Sequence, residues 1–148
     1  MILDITIEKS AVYDEVAQTT SYTGAKMEGG DAETYDRIFT TEDDRSQLDR
    51  FWDESCVAVQ EALKEFVQGE RGEDSFTLHL ALSASFEPNL EGAMRKEVFS
   101  FFVNSITSKW FVFTNKKEAA DFAAMAQGML EGIRKKAYFR RKPRKPNI

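Results

Sequence analysis

The chain has 148 residues, 42% of them hydrophobic, with 25 Asp and Glu, 20 Lys and Arg, twelve Phe and one cysteine. That length fits one domain with a real core, and a net charge of −5 argues against a general nucleic-acid binder, whose folded body is usually basic. A lone Cys56 excludes an intramolecular disulfide and fits a cytoplasmic setting, and no run approaches the roughly 20 apolar residues of a membrane span, so no membrane partner is expected.

At the N-terminus, Leu3, Ile5 and Ile7 alternate with Asp4 and Thr6, which predicts a short strand with one wet face. The same stretch lacks the basic start and long apolar run of a secretory signal. A helix is expected from about Ser10, with Val12, Val16 and Thr20 on one side and Gly24 near its end. Residues 24–36, with Gly29 and Gly30, read as a long polar connection, either mobile or ligand-binding. Thr41-Glu42-Asp43-Asp44 reads as a helix start, because acids in a first turn suit the helix dipole. Leu48, Phe51, Trp52, Ser55, Cys56, Val59, Leu63, Phe66 and Val67 then recur at spacings of three and four, an apolar stripe about seven turns long. Residues 69–74 read as the turn that ends it. Phe76, Leu78, Leu80, Leu82, Ala84 and Phe86 alternate with more polar residues, which predicts a strand over 76–86 beside the N-terminal one. A third strand is placed near residues 37–40.

The third helix is expected from about Asn89 to Phe111, with Leu90, Met94, Val98, Phe101, Phe102, Ile106 and Trp110 as its stripe. Phe99, Val103, Phe111 and Val112 fall off that stripe, so the helix is either central or carries a subunit interface as well as a core face. Phe99, Trp110 and Phe111 are therefore candidate partner-contact residues. Residues 110–114 also read as a strand. A fourth helix starts at Thr114-Asn115, lined by Phe122, Met125, Ala126, Met129, Leu130, Ile133 and Ala137, and forms an antiparallel hairpin with the third. Beyond Phe139, the prolines and charge density of residues 140–148 predict an extended basic arm. The expected fold is α+β and mostly helical: about four helices on a small antiparallel sheet, with residues 1–139 as a single domain followed by the C-terminal arm.

Charge is divided lengthwise. Residues 1–75 hold 19 acids and 7 bases, whereas residues 76–148 hold 6 acids and 13 bases. The arm contributes Arg140, Arg141, Lys142, Arg144 and Lys145, and three readings stay open for it. It is a solvated end, a segment that docks on an acidic protein surface, or a contact for nucleic-acid phosphates. Chemistry finds little support. His79 lies on the polar face of its strand beside Ser83 and Ser85, without the glycine pattern of a nucleophile elbow. Cys56 sits on an apolar stripe, and one Cys with one His cannot build a zinc site from soft ligands. Asp31, Glu33 and Asp36 lack the spacing of a calcium loop, Glu42-Asp43-Asp44 are explained by the helix they open, and no glycine-rich phosphate loop is present. No catalytic residue, metal or cofactor is expected.

Three stretches carry a resemblance: ITIEKSAVYDEV at 5–16 with TTSYTGAK at 19–26, YDRIFTTEDDR at 35–45, and SFFVNSI at 100–106 with KWF at 109–111. Together they resemble uncharacterised small proteins encoded in prophage-like regions of gut bacteria, near tail and head–tail genes. The resemblance implies a non-enzymatic virion structural or assembly subunit, such as a head–tail connector or tail component. It would be cytoplasmic during assembly and virion-bound afterwards. Its expected partners are copies of itself or phage structural proteins. Virion connectors join different surfaces of identical subunits, and a polypeptide with one acidic and one basic half supplies such surfaces. The alternative is a nucleic-acid-associated factor that binds phosphates through the same basic tail.

Overall fold

The computed structural model describes residues 1–26 and 40–139. The 24–36 connection (from residue 27), the strand placed near 37–40 (up to residue 39) and the 140–148 arm lie outside the described residues.

The N-terminal alternation forms β1 (Ile2–Glu8), which runs directly into α1 (Lys9–Lys26). A single turn at Glu42–Asp44 leads into α2 (Arg45–Ala62). The acids expected in the first turn of α2 lie instead in this preceding turn, which the Asp44 carboxylate closes by accepting from the Thr41 N–H at 2.9 Å; α2 itself starts without a side-chain cap and without an acid in its first turn. The chain re-enters the described structure against α1, where the Thr40 N–H donates to the buried Thr20 hydroxyl at 3.1 Å.

The apolar stripe of α2 is shorter than its spacing suggests. The helix stops at Ala62, Leu63 caps it through a bond to the Val59 carbonyl, and the next residues turn into a strand, β2 (Val67–Arg71). β2 pairs antiparallel with β3 (Ser75–Ala81), which pairs on its other edge with β1, giving the order β1-β3-β2. The third strand is therefore β2, in a stretch that reads as a turn because it holds Gly69 and Gly72. Only Gly72 belongs to the turn, where its N–H bonds the Ser75 carbonyl at 3.0 Å. Gly69 sits within the strand opposite Leu78, and a Cβ there would fall 1.9 Å from the Gln60 amide nitrogen of α2.

β3 also ends earlier than its alternation. Ser83 and Ser85 bond one another at 2.9 Å and curl the chain, so Leu82 and Phe86 still reach the core while Ala84 is exposed.

The long apolar segment forms one helix, α3 (Glu91–Thr114), and residues 110–114 are helical rather than a strand. Its buried residues include Val98, Phe101, Phe102, Val103, Ser105, Ile106, Thr107 and Ser108, which surround the helix axis. α1, α2, β1 and the last helix, α4 (Lys116–Tyr138), all pack on it. Most of the excess apolar circumference is thus used inside the monomer, while Val112 and Phe113 stay exposed at its C-terminal end. Asn115 alone separates α3 from α4. Phe122 meets Phe111 at 5.4 Å near this junction and Lys136 pairs with Glu97 towards the other end, so the helices run antiparallel.

The result is α+β and mostly helical: the apolar face of the sheet, α1 and α2 enclose α3 from one side, and α4 covers it from the other. Leu3, Ile5, Ile7, Phe76, Leu78 and Leu80 are all buried on the inner sheet face.

Candidate protein-binding surface

Period-two alternation that buries one sheet face must present the other to water. On that outer face β1 carries Asp4, Thr6 and Glu8, β3 carries Ser75, Thr77 and His79, and β2 carries Gln68 and Glu70. No Lys or Arg occupies an outward position on any of the three strands. The carboxylates remain accessible, with side-chain exposures of 59% for Asp4 and 76% for Glu70. At the centre, His79 bridges both edge strands: Nδ1 lies 2.7 Å from Asp4 Oδ1 and Nε2 lies 3.2 Å from Glu70 Oε2.

The hydrogen bonds to Asp4 first, and then to Glu70, raise the His79 pKa above its ordinary 6.5. A raised native pKa contributes stability that is present below 6.5 and lost as pH rises through the native value. The unfolding midpoint should therefore fall as pH climbs above 6.5, and His79→Gln should flatten that slope. The check is thermal unfolding at a series of pH values; equal slopes in the two proteins would remove the role given to His79.

Both ring nitrogens of His79 face carboxylates, while Ser83 and Ser85 bond one another. Cys56 is fully buried, and burial pushes its thiol up to about 12, so it remains neutral. Among the described residues, no group of three or more His, Cys, Asp or Glu is placed to hold a metal ion. Also among them, no helix is long and apolar enough to cross a membrane.

At one end of the outer sheet face lies an open groove of about 420 Å³, lined by Ile2, Glu65, Phe66, Gln68 and His79 among others. The last turn of α4 touches two of these lining residues. The Tyr138 ring meets Phe66 edge-on at 4.6 Å, and the Tyr138 hydroxyl donates to the Glu65 carboxylate. Phe139 follows with extended backbone, φ −63° and ψ 135°. The chain therefore enters its basic C-terminal segment beside a groove bordered by Glu65, Glu70 and Asp4. Lys64, the cation in the groove lining, turns to Glu61 at 3.2 Å.

The candidate partner residues do not form one site. Arg140, Arg141, Lys142, Arg144 and Lys145 lie outside the described residues. Phe111 is interior, fully buried beside Ala119 and Phe122, and so presents no surface. Phe99 and Trp110 are half-buried against the core. Phe111 lies at the Asn115 end of the α3–α4 hairpin, whereas the basic segment follows the opposite end of α4. The exposed apolar side chains of that hairpin end are instead Val112 and Phe113.

A second polar cluster joins α1 to α2. The Tyr13 hydroxyl donates to Asp49, Lys9 approaches the same carboxylate at 3.4 Å, and Arg45 lies 5.2 Å from the Tyr13 ring centre. Burial, followed by the bond to Asp49, raises the Tyr13 pKa and keeps the phenol protonated. These groups answer one another, and the cluster holds two helices together.

Compared with family models, curated proteins and solved structures, the chain matches none.

Proposed function

We propose that this chain is a non-enzymatic subunit that associates with copies of itself or joins a larger complex through its basic C-terminal segment. The setting we propose is a phage-type particle, as part of a head–tail connector or tail, in line with the resemblance of the three sequence stretches. One observation carries the association: an open sheet face with carboxylates and no Lys or Arg lies beside the point where the chain enters five closely spaced cations. Opposite charges on separable surfaces steer encounter and set register more than they add raw affinity. Most of the α3 circumference is buried within the monomer, and its exposed apolar side chains, Val112 and Phe113, lie at the hairpin end away from the basic segment, so we assign the association to the charged surfaces.

The test is neutralisation of Arg140, Arg141, Lys142, Arg144 and Lys145 to Gln. The variant should keep the melting transition of the unmodified protein, because among the described residues the buried core ends at Ala137. It should lose association in sedimentation at physiological salt. Undiminished assembly would contradict the proposal. A shift of random duplex DNA at low salt, without self-association, would favour the phosphate-binding reading instead.

A further inference from the structure

We propose that the acceptor for the basic C-terminal segment is the outer sheet face of a second copy, centred on Asp4 and Glu70 and extending to Glu8 and Glu65. This rests on the reading above, that the segment joins subunits, and adds the surface it meets and the symmetry of the contact.

Three observations place it. The first is sign: the outward strand positions carry Asp4, Glu8 and Glu70 and no Lys or Arg, and the segment carries five cations and no acid. The second is shape. The groove beside His79 is open, and Phe66 and Ile2 give it an apolar floor for the aliphatic stems of Arg and Lys. The third is the point of departure. Tyr138 is fixed to Phe66 and Glu65, two residues of the groove lining, so residues 139–148, ten in number, start there and span at most about 35 Å when extended. Donor and acceptor thus share one side of the molecule. Two copies placed sheet face to sheet face satisfy both contacts at once, each giving its segment to the other. That arrangement is a closed two-fold pair, in which both copies use the same face, in place of the unlike-surface contacts that a connector ring uses.

The experiment uses two full-length variants and sedimentation. The donor-dead variant carries Gln at the five basic positions. The acceptor-dead variant carries Asp4→Asn, Glu65→Gln and Glu70→Gln. A further variant, Glu8→Lys, leaves the Asp4–His79–Glu70 bridge untouched, so it reports on the face without disturbing that bridge. Each dead variant alone should associate at least about tenfold more weakly than the unmodified protein. Their mixture should recover a pair, because one intact segment then meets one intact face. That mixed pair should stay weaker than the unmodified one, which holds two such contacts. Glu8→Lys alone should weaken pairing with an unchanged melt. Normal association of both face variants, with loss only in the donor-dead variant, would overturn the acceptor assignment and leave the proposed function standing. Failure of the mixture to pair would also overturn it, since the segment would then be meeting its own face or another surface. Normal association of the donor-dead variant would remove the reading beneath it.

Discussion

Phe102→Ala is expected to lower stability by about 3–5 kcal/mol, the usual range for truncating a buried aromatic residue. Phe102 is fully buried at the point where four elements meet. Its ring lies 4.7 Å from Trp52 of α2, 6.0 Å from Phe76 of β3 and 5.8 Å from Phe101 of α3, and Trp52 passes the contact on to Tyr13 of α1 at 6.4 Å. Truncation opens a cavity that no single element can close, because the surrounding rings are held from different directions. Domains of this size have only about 5–15 kcal/mol in total, so the melting temperature should drop by about 10 °C or more. Thermal and denaturant unfolding followed by circular dichroism give the number. A loss below about 1 kcal/mol would mean that the aromatic cluster is not the centre of the core.

The fold was legible wherever one period dominated. The alternation of Leu3, Ile5 and Ile7, and that of Phe76, Leu78 and Leu80, places the two strands and makes them neighbours; β1 and β3 pair over Ile2–Glu8 and Ser75–Ala81. β2 was not legible. Five residues are too few for a periodic signal, and Gly69 and Gly72 look like one turn when one of them lies inside a strand. The stripe through Phe66 and Val67 hid the end of α2, since both are apolar and fall on the helical spacing by coincidence. In the structure Phe66 serves another purpose and receives Tyr138 from α4. The breadth of the apolar surface on α3 was visible in sequence, but two explanations fitted it equally. The packing of α1, α2, β1 and α4 around the helix puts it at the centre of the fold, with Val112 and Phe113 exposed at its end.

The candidate surface was half legible. Asp4 and Thr6 on one face follow from the β1 alternation, and the basic run at the C-terminus is plain in the sequence. Glu70 and Glu65 were missed, because their positions depend on the unrecognised β2 and on the turn before it. The bridge from His79 to Asp4 and Glu70 spans 75 residues in one direction and 9 in the other, and no local pattern announces it. Phe111 misled for a general reason: an aromatic residue off the main stripe of a helix means an exposed surface only if nothing else covers that side.

A second large effect is expected from salt. Charges that meet across an interface lose most of their mutual attraction once the screening length falls from about 10 Å at 0.1 M to about 3 Å at 1 M. An association held by burial of apolar surface does not weaken in this way and strengthens in some salts. The proposed contact sets five cations against a face and rim bearing four carboxylates, Asp4, Glu8, Glu65 and Glu70, so it belongs to the first kind. Sedimentation of the unmodified protein at about 0.1 M and about 1 M salt therefore tests the central claim most directly. A multi-subunit species at the lower concentration that becomes monomeric at the higher one is the predicted result. A monomer at both, or a large species indifferent to salt, would contradict it.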